Sequence, residues 1–311
     1  MFKRKILSKL EAWKQDERHK PLILRGARQV GKTTVVNEFG SQFDNYLYFN
    51  LEMSESVRLF EMDIPLNDLV NMLFASLGKL QKEGSTLIFI DEIQNSSKTI
   101  ALLRYFYEQR PDLYVIAAGS LLENLVDINV SFPVGRVMYL ALRPCSFFEF
   151  LGAIGKNNLL TILSQKAEYT IAFHKQLMHQ FNQYTIIGGM PEAVQHYAET
   201  EQITAQELLS MEDRVGQHRS FWAKPNNGAK VDFLFIHNSK LYPIEVKSGT
   251  NAHLRSLQVF MDNSDIDIAI RVWSNPYSVN IVKTPKGKVF RLINLPFYLI
   301  GNLHQILDEV I

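Results

Sequence analysis

Short apolar runs recur through the first half of the chain, and amphipathic stretches separate them. Three to six mostly apolar residues bounded by polar ones predict a strand that is buried on both faces. Five such strands are expected, at residues 22–24, 46–49, 86–90, 114–118 and 137–142. Because they alternate with helical stretches, the pattern predicts an α/β fold with a mainly parallel, doubly wound sheet that helices cover on both sides.

The stretches between these strands carry apolar residues at helical spacing. One stripe, which repeats at intervals of three and four, predicts a helix over residues 66–80 and consists of Leu66, Leu69, Val70, Leu73, Phe74, Leu77 and Leu80. Residues 3–20 predict a basic amphipathic helix. Two interpretations of that helix stay open: it docks on the following domain with its lysines in solvent, or it is an arm that binds nucleic acid.

The second half of the chain has a different pattern. Residues 143–214 are mostly helical, with a break at residues 188–191 that puts Pro191 in the first turn of a new helix. Short strands return at residues 233–236, 241–247, 266–272 and 289–293. We therefore expect three parts: an α/β domain over residues 1–160, a helical connector over 161–216, and a small α/β unit over 217–311.

Composition places the chain among ordinary globular proteins. Of its 311 residues, 46% are hydrophobic and 21% are charged, which excludes wholesale disorder and fibrous repeats. The net charge of +1 favours no class of charged partner, and the single cysteine, Cys145, excludes an internal disulfide and a cysteine-ligated metal. With no signal-like segment and no apolar run near 18 residues, we expect no membrane association and a cytoplasmic location.

One segment has the spacing of a phosphate-binding loop. Residues 26–33 match GxxxxGK[ST] in full, between an expected strand and an expected helix. Backbone N–H groups of such a loop face a polyphosphate, Lys32 neutralises its β- and γ-oxygens, and Thr33 binds Mg²⁺. The residues predicted to bind the ligand are Gly26, Ala27, Arg28, Gln29, Val30, Gly31, Lys32, Thr33 and Thr34.

Two adjacent carboxylates follow the strand at residues 86–90. A buried strand that delivers two acids at its end needs a cation or a substrate beside them. We expect Asp91 to hold Mg²⁺, directly or through water, and Glu92 to orient and activate an attacking water.

Three weaker candidates also lie at strand ends or in loops. Ser120 is placed to contact a γ-phosphate or the water, unless it is a plain turn serine. Asn50 is placed to hold Glu92 in an inactive position, unless it forms an Asx turn. Arg136 follows a glycine and is placed to reach a γ-phosphate of its own site or of a neighbouring subunit, unless it forms a surface salt bridge.

An acidic pair near the C-terminus has the form D…ExK of metal-dependent nucleases. A hairpin turn at Asn238 and Ser239 sets Asp232 opposite Glu245, with Lys247 on the face of Glu245. The opposed carboxylates need a cation between them, either Mg²⁺ or Lys247 itself. Three interpretations stay open: an active nuclease, a remnant fold that serves as an interaction surface, and a module that binds nucleic acid without cutting it.

Six segments together resemble prokaryotic P-loop ATPases of the AAA superfamily that carry a C-terminal, nuclease-like domain of unknown function. The segments are PLILRGARQVGKT (21–33), FIDEIQ (89–94), AGS (118–120), RPCSF with EF (143–150), GGMPEAV (188–194) and PIEVKSG (243–249). The resemblance implies an AAA-type sheet, a C-terminal core similar to restriction endonucleases, and Mg²⁺-dependent ATP binding and hydrolysis. It also implies that Ser120 is a sensor and that Asn50 is the switch partner of Glu92.

The resemblance has one departure and leaves the partners open. In the family a winged-helix-like stretch precedes the nuclease-like core, whereas here 41 positions separate Pro191 from Asp232, so most of that stretch is absent. The implied function is an ATP-driven switch coupled to the C-terminal unit, and the alternative is a module that binds ATP but hydrolyses it poorly. The macromolecular partner, DNA or protein, stays unidentified, and the family contains both oligomers and monomers.

Overall fold

The computed structural model describes residues 2–119, 135–164, 171–201, 222–223, 230–247 and 254–310. The chain forms two compact units. The first comprises Met1–Glu149 with Gly189–His196, and the second comprises Phe150–Gly188 with Tyr197–Ile311. The predicted borders at residues 160 and 216 stay predictions.

The first unit contains a five-stranded sheet in which every pairing is parallel. In chain order its strands are β1 (Leu22–Arg25), β2 (Asn45–Asn50), β3 (Thr86–Asp91), β4 (Leu113–Gly119) and β5 (Met138–Ala141). Their order across the sheet is β2-β3-β4-β1-β5. This arrangement confirms the predicted parallel α/β sheet, and it puts the carboxyl ends of β1 and β3 on the same edge with β4 between them.

Helices cover both faces of this sheet. In chain order they are α1 (Ile6–Lys14), α2 (Lys32–Gly40), α3 (Ser54–Phe60), α4 (Leu66–Ser76) and α5 (Ser97–Gln109). Alternate strand residues face opposite sides, so Leu22 and Leu24 pack with α1 and α2, whereas Ile23 packs in the core that contains α4 and α5. The apolar side of α1, including Leu10 and Trp13, is buried in the first of these cores, as expected of a docked helix.

Helix α4 is shorter than its apolar stripe predicted. It ends at Ser76 because Gly78 has a φ of +61° and closes the helix: its N–H donates to the Ala75 carbonyl and that of Lys79 donates to the Phe74 carbonyl. Leu77 is therefore partly exposed and Leu80 is 89% exposed. The prediction of a helix to residue 80 was wrong because a periodic stripe carries no information about the left-handed residue that ends it.

The second unit holds a mixed sheet and several helices. After α5, the α-helices of the described residues are α6 (Phe147–Ala153), α7 (Asn157–Ser164), α8 (Ile171–Ile187), α9 (Pro191–Thr200), Arg255–Asp262 and Leu303–Val310. The remaining strands are β6 (Trp222–Ala223), β7 (Lys230–Val231), β8 (Phe233–His237), β9 (Lys240–Val246), β10 (Ile268–Trp273), β11 (Ser278–Lys283) and β12 (Val289–Pro296). Pro191 begins α9, as predicted.

The second sheet has the order β11-β12-β10-β9-β8. The β8–β9 hairpin confirms the predicted register, because Phe233 pairs with Ile244 and the turn residues Asn238 and Ser239 both have positive φ. Strand β11 and the helix Arg255–Asp262 were not predicted.

Leu73 and Leu80 belong to the same sequence stripe but differ in burial, and this difference predicts different effects of truncation. Leu73 is fully buried, so Leu73→Ala should lower the free energy of unfolding by about 2–5 kcal/mol through lost contacts and a cavity. Leu80→Ala should change it by less than about 0.5 kcal/mol. Urea denaturation of both variants checks this, and equal losses would contradict the end of α4 at Ser76.

Candidate nucleotide site

The phosphate-binding loop joins the end of β1 to the start of α2. Gly31 precedes the helix with a φ of +87°, and Gln29 has a φ of +62°. Glycine adopts this conformation without strain, whereas Gln29 does so at a cost. The first turn of α2, which begins at Lys32, therefore has its N–H groups at the mouth of the loop, and that is the arrangement that binds phosphate.

Gly26 is required for a different reason. A Cβ at this position would lie 2.4 Å from the carbonyl oxygen of Leu142, which follows β5. The N–H of Leu142 donates to the carbonyl of Arg25 at 2.7 Å, so the two backbones are held together at this point. The first glycine of the motif thus permits a close backbone contact at the base of the loop.

Lys32 is buried and is turned back onto its own loop. Its Nζ donates to the carbonyls of Gly26 and Ala27, each at 3.0 Å. Burial lowers the pKa of Lys32, while the nearby carboxylates of Glu92 and Asp91 oppose this shift. A buried ammonium held only by two neutral carbonyls is a cation for which an anionic ligand is a stronger partner.

Asp91 and Thr33 meet across the site. The Thr33 hydroxyl donates to Asp91 Oδ2 at 2.6 Å, and the N–H of Glu92 donates to Asp91 Oδ1 at 3.1 Å. Burial raises the pKa of Asp91, although the Thr33 hydrogen bond acts in the opposite direction. The hydroxyl and carboxylate oxygens that a hydrated Mg²⁺ prefers are therefore adjacent.

Glu92 has an unusual backbone and a held side chain. Its φ of 53° and ψ of 45° lie in the left-handed region, which a glutamate rarely adopts and which is common at functional sites. Its carboxylate accepts a hydrogen bond from the side-chain amide of Gln94. Asn50 is bound elsewhere, since its Oδ1 accepts the N–H of Glu52 at 2.9 Å, and no contact of the described residues joins it to Glu92.

A cavity of about 790 Å³ opens in front of these residues. Part of its wall is the predicted loop, including Lys32 and Thr33, and Glu92 also lines it. The rest of the wall comes from residues that were not predicted to lie at the site, namely Phe2, Arg4, Val35, Glu52, Pro191, Glu192 and Gln195. Pro191 and Glu192 belong to the GGMPEAV segment, but tertiary contacts are what bring that segment to the loop.

Arg4 fixes the N-terminal segment to the loop. Its guanidinium donates to the Val30 carbonyl at 3.1 Å, to the Arg143 carbonyl at 2.7 Å and to Glu149 at 3.0 Å. Burial alone would raise the pKa of Glu149, but hydrogen bonds from Ser146, Lys5 and Arg4 lower it below its usual value. The Glu149 carboxylate is therefore charged and forms a buried ion pair with Arg4.

The Gly188-Gly189 turn fixes the start of α9. The N–H of Cys145 donates to the Gly189 carbonyl at 2.6 Å, and a Cβ on Gly189 would lie 2.5 Å from the Cys145 carbonyl oxygen. Burial raises the pKa of the Cys145 thiol to about 11, so this cysteine is a packed residue and not a nucleophile. The close backbone contact explains the second glycine and positions Pro191 and Glu192 at the cavity.

Of the other two candidates, the structure describes Arg136 alone. Arg136 Nε donates to Glu108 Oε1 at 2.9 Å, and this surface salt bridge is the alternative interpretation of that residue. That Arg136 reaches a phosphate stays a prediction, and doing so would require its guanidinium to leave Glu108. Ser120 lies outside the described residues.

The C-terminal acidic pair is held by hydrogen bonds and by the predicted lysine. Asp232 Oδ2 accepts the N–H of Val246 at 2.9 Å, and Lys247 Nζ lies 2.5 Å from Glu245 Oε1. Burial, supported by the charge of Asp232, raises the pKa of Glu245, while Lys247 opposes the shift. Within the described ranges, no group of three His, Cys, Asp or Glu side chains is arranged to hold a metal ion.

Comparison with known families agrees with this geometry. Residues 18–151 match the family model of an AAA domain. The matched range covers the five-stranded sheet and the loop at the cavity, and the match supports ATP binding by this unit. Residues 198–298 match a domain of unknown function, DUF4143, which fits the predicted C-terminal unit. No curated protein matches the sequence.

The similarity of this chain to solved structures is low. PCH-2 of C. elegans is 12% identical with a TM-score of 0.37 over 64% of this chain, and the Drosophila ORC bound to DNA is 16% identical with a TM-score of 0.33 over 62%. The chain spans 62% and 53% of the lengths of these two chains.

Among the described residues, none of the helices has the length and apolar character needed to span a membrane.

Proposed function

We propose that the protein is a Mg²⁺-dependent ATPase that acts as a switch coupled to its C-terminal unit. The observation that supports this most strongly is that Lys32, Thr33 and Glu92 line one cavity and that Asp91 accepts a hydrogen bond from Thr33 directly behind it. The chemistry of phosphoryl transfer needs a phosphate clamp, a metal-binding hydroxyl and carboxylate, and a group that activates water. These four side chains supply all three.

Lys32 is the phosphate clamp. In the ligand-free state its ammonium is held by the loop carbonyls, and burial disfavours its charge. Phosphate oxygens would replace the carbonyls and restore a charge-assisted partner, so binding relieves an unfavourable state of the free protein. The N–H groups at the start of α2 add the positive end of a helix to the same phosphate.

Thr33 and Asp91 are the residues that would hold Mg²⁺. Their 2.6 Å hydrogen bond keeps both oxygens in place before a ligand arrives. When bound, Mg²⁺ neutralises the charge that develops on the β- and γ-oxygens. The raised pKa of Asp91 in the free protein would fall as a cation replaces the Thr33 proton as its partner.

Glu92 is the general base in this proposal. Its carboxylate lines the cavity and would take a proton from the attacking water once the amide of Gln94 releases one oxygen. Asn50 would become its switch partner by releasing the Glu52 N–H and donating its own Nδ2–H to the Glu92 carboxylate. Ser120 as sensor stays a proposal, and Arg136 would act only on the site of another copy, after leaving Glu108.

Two substitutions separate binding from hydrolysis. Lys32→Ala should weaken ATP binding and lower hydrolysis at least about 100-fold, and Glu92→Gln should keep ATP binding while lowering hydrolysis to the same extent. Glu38→Gln, on the exposed side of α2, is the matched control and should have wild-type activity. Phosphate release and labelled-ATP binding measure both effects. Equal trace activity in the wild type and the three variants would refute the proposed ATPase activity and favour a module that only binds ATP.

For the C-terminal unit, we propose an interaction surface on a nuclease-like fold that does not cleave. The supporting observation is that Lys247 occupies the Glu245 oxygen that a catalytic metal would need, while a backbone N–H occupies Asp232. Because one oxygen of each carboxylate already has a partner, we expect divalent cations to have weak attraction for the pair, although Glu245 Oε2 is buried without a partner among the described residues.

The proposal predicts no cleavage of single- or double-stranded DNA in Mn²⁺. It also predicts little change of melting temperature with Mg²⁺ or Mn²⁺ in the Lys32→Ala background, which limits interference from the nucleotide site. Gel analysis and thermal denaturation measure the two quantities. Cleavage that disappears in both Asp232→Ala and Glu245→Ala would make the protein a nuclease and overturn the proposal.

A further inference from the structure

One face of the second sheet is divided between an apolar half and a polar half. The helix Arg255–Asp262 covers the apolar half, where Leu257 and Phe260 pack on Ala269 and Leu292. Two residues further along β10 and β12, the same face presents Arg271 and Asn294. The described helix therefore covers only part of the face, and polar side chains occupy the remainder.

The strand pairing aligns these polar residues in a row. Arg271 pairs with Glu245 on one side and with Asn294 on the other, and Asn294 pairs with Ser278. Continuing the β8–β9 register by one residue adds Asp232 opposite Glu245. The row runs across all five strands, with carboxylates at the β8 and β9 end and a guanidinium in the middle.

Within this row, the charged side chain of Arg271 has neutral partners. Its Nε donates to Asn294 Oδ1 at 2.8 Å, and its guanidinium lies 3.7 Å from the centre of the Trp273 ring. Asn294 is fully buried and is itself fixed by a hydrogen bond from its Nδ2 to Ser278 Oγ at 3.0 Å. The guanidinium is thus held in one orientation by the Trp273 ring and by the Asn294 amide, which the Ser278 hydroxyl fixes in turn.

The charge of Arg271 has no described counter-ion. No carboxylate of the described residues forms an ion pair with it, and Glu245 pairs with Lys247 instead. Burial lowers the pKa of Arg271. A partly buried, rigidly held guanidinium without an acid is costly in free energy unless an anion joins it.

Trp273 adds a second observation that points to a ligand. Its indole Nε1 is buried and has no hydrogen-bond partner among the described residues. Since the guanidinium lies over this ring, the unsatisfied N–H belongs to the same local cluster as the Nη groups of Arg271, which donate no hydrogen bond to the described residues. Unsatisfied buried donors are rare in folded proteins, so this pair of side chains lacks an acceptor.

We propose that Arg271 and Trp273 form a binding site for a phosphate group. A carboxylate has two coplanar oxygens, which the two Nη groups of one arginine satisfy by themselves. A phosphate has further oxygens out of that plane, so it also accepts the indole N–H. The phosphate can come from the backbone of a nucleic acid or from a small ligand, and the site is separate from the nucleotide cavity of the first unit.

Binding to the full chain in the Lys32→Ala background tests the site and its source. The probes are a fluorescein-labelled 20-nucleotide single-stranded DNA, ATP and inorganic phosphate. We expect Arg271→Gln to weaken binding of the effective probe about 10- to 100-fold, the effect of removing a charged hydrogen-bond donor. Arg255→Gln, an exposed arginine of the same unit, is the matched control and should bind as the parent does.

Two further variants keep the test decisive if Arg271→Gln does not fold. Arg271→Lys retains the positive charge but loses the two parallel N–H donors of the guanidinium. Trp273→Phe retains an aromatic ring but loses the indole N–H. Both substitutions should weaken binding. DNA binding alone assigns the nucleic-acid backbone, and binding of ATP or phosphate alone assigns a small ligand. Binding by none of the probes, or equal binding by the Arg271, Trp273 and Arg255 variants, would overturn the site.

Discussion

The structure of the first unit depends on keeping two opposite charges buried at one edge of a parallel sheet. Lys32 and Asp91 are each almost fully buried, and burial disfavours the charged form of both. Neither is paired directly with the other: the lysine is held by two carbonyls of its loop and the aspartate by the Thr33 hydroxyl and a backbone N–H. Both charges would gain stronger partners from a metal-bound polyphosphate.

The loop keeps this geometry because more distant segments hold it. Arg4 donates to the Val30 carbonyl and forms a buried ion pair with Glu149, while Cys145 pairs with Gly189 through the backbone. These contacts connect the N-terminal segment and the start of α9 to the cavity wall. These residues therefore contribute by holding the loop and the cavity wall in place. Removing either Arg4 or Glu149 would leave the other buried charge unpaired.

Much of the fold and of the central site was predictable from sequence, for identifiable physical reasons. Buried parallel strands give continuous apolar runs, and the loop motif fixes Gly31, Lys32 and Thr33 at a strand–helix junction, so local pattern sufficed there. The end of α4 was missed because the left-handed Gly78 leaves the leucine periodicity intact. Arg4 and Phe2 were missed because their approach to the loop depends on packing between segments far apart in the chain.

The central claim is that the empty site is prepared for a nucleotide with Mg²⁺. The measurement that tests it most directly is the melting temperature of the protein as ATP is added, with Mg²⁺ and with a chelator. The account predicts stabilisation that grows with the logarithm of ATP concentration, about 2.7 kcal/mol at 100 times the Kd, and that is reduced by the chelator and by Thr33→Ala. Equal melting temperatures with and without ATP, or equal shifts in the Thr33→Ala protein, would contradict it.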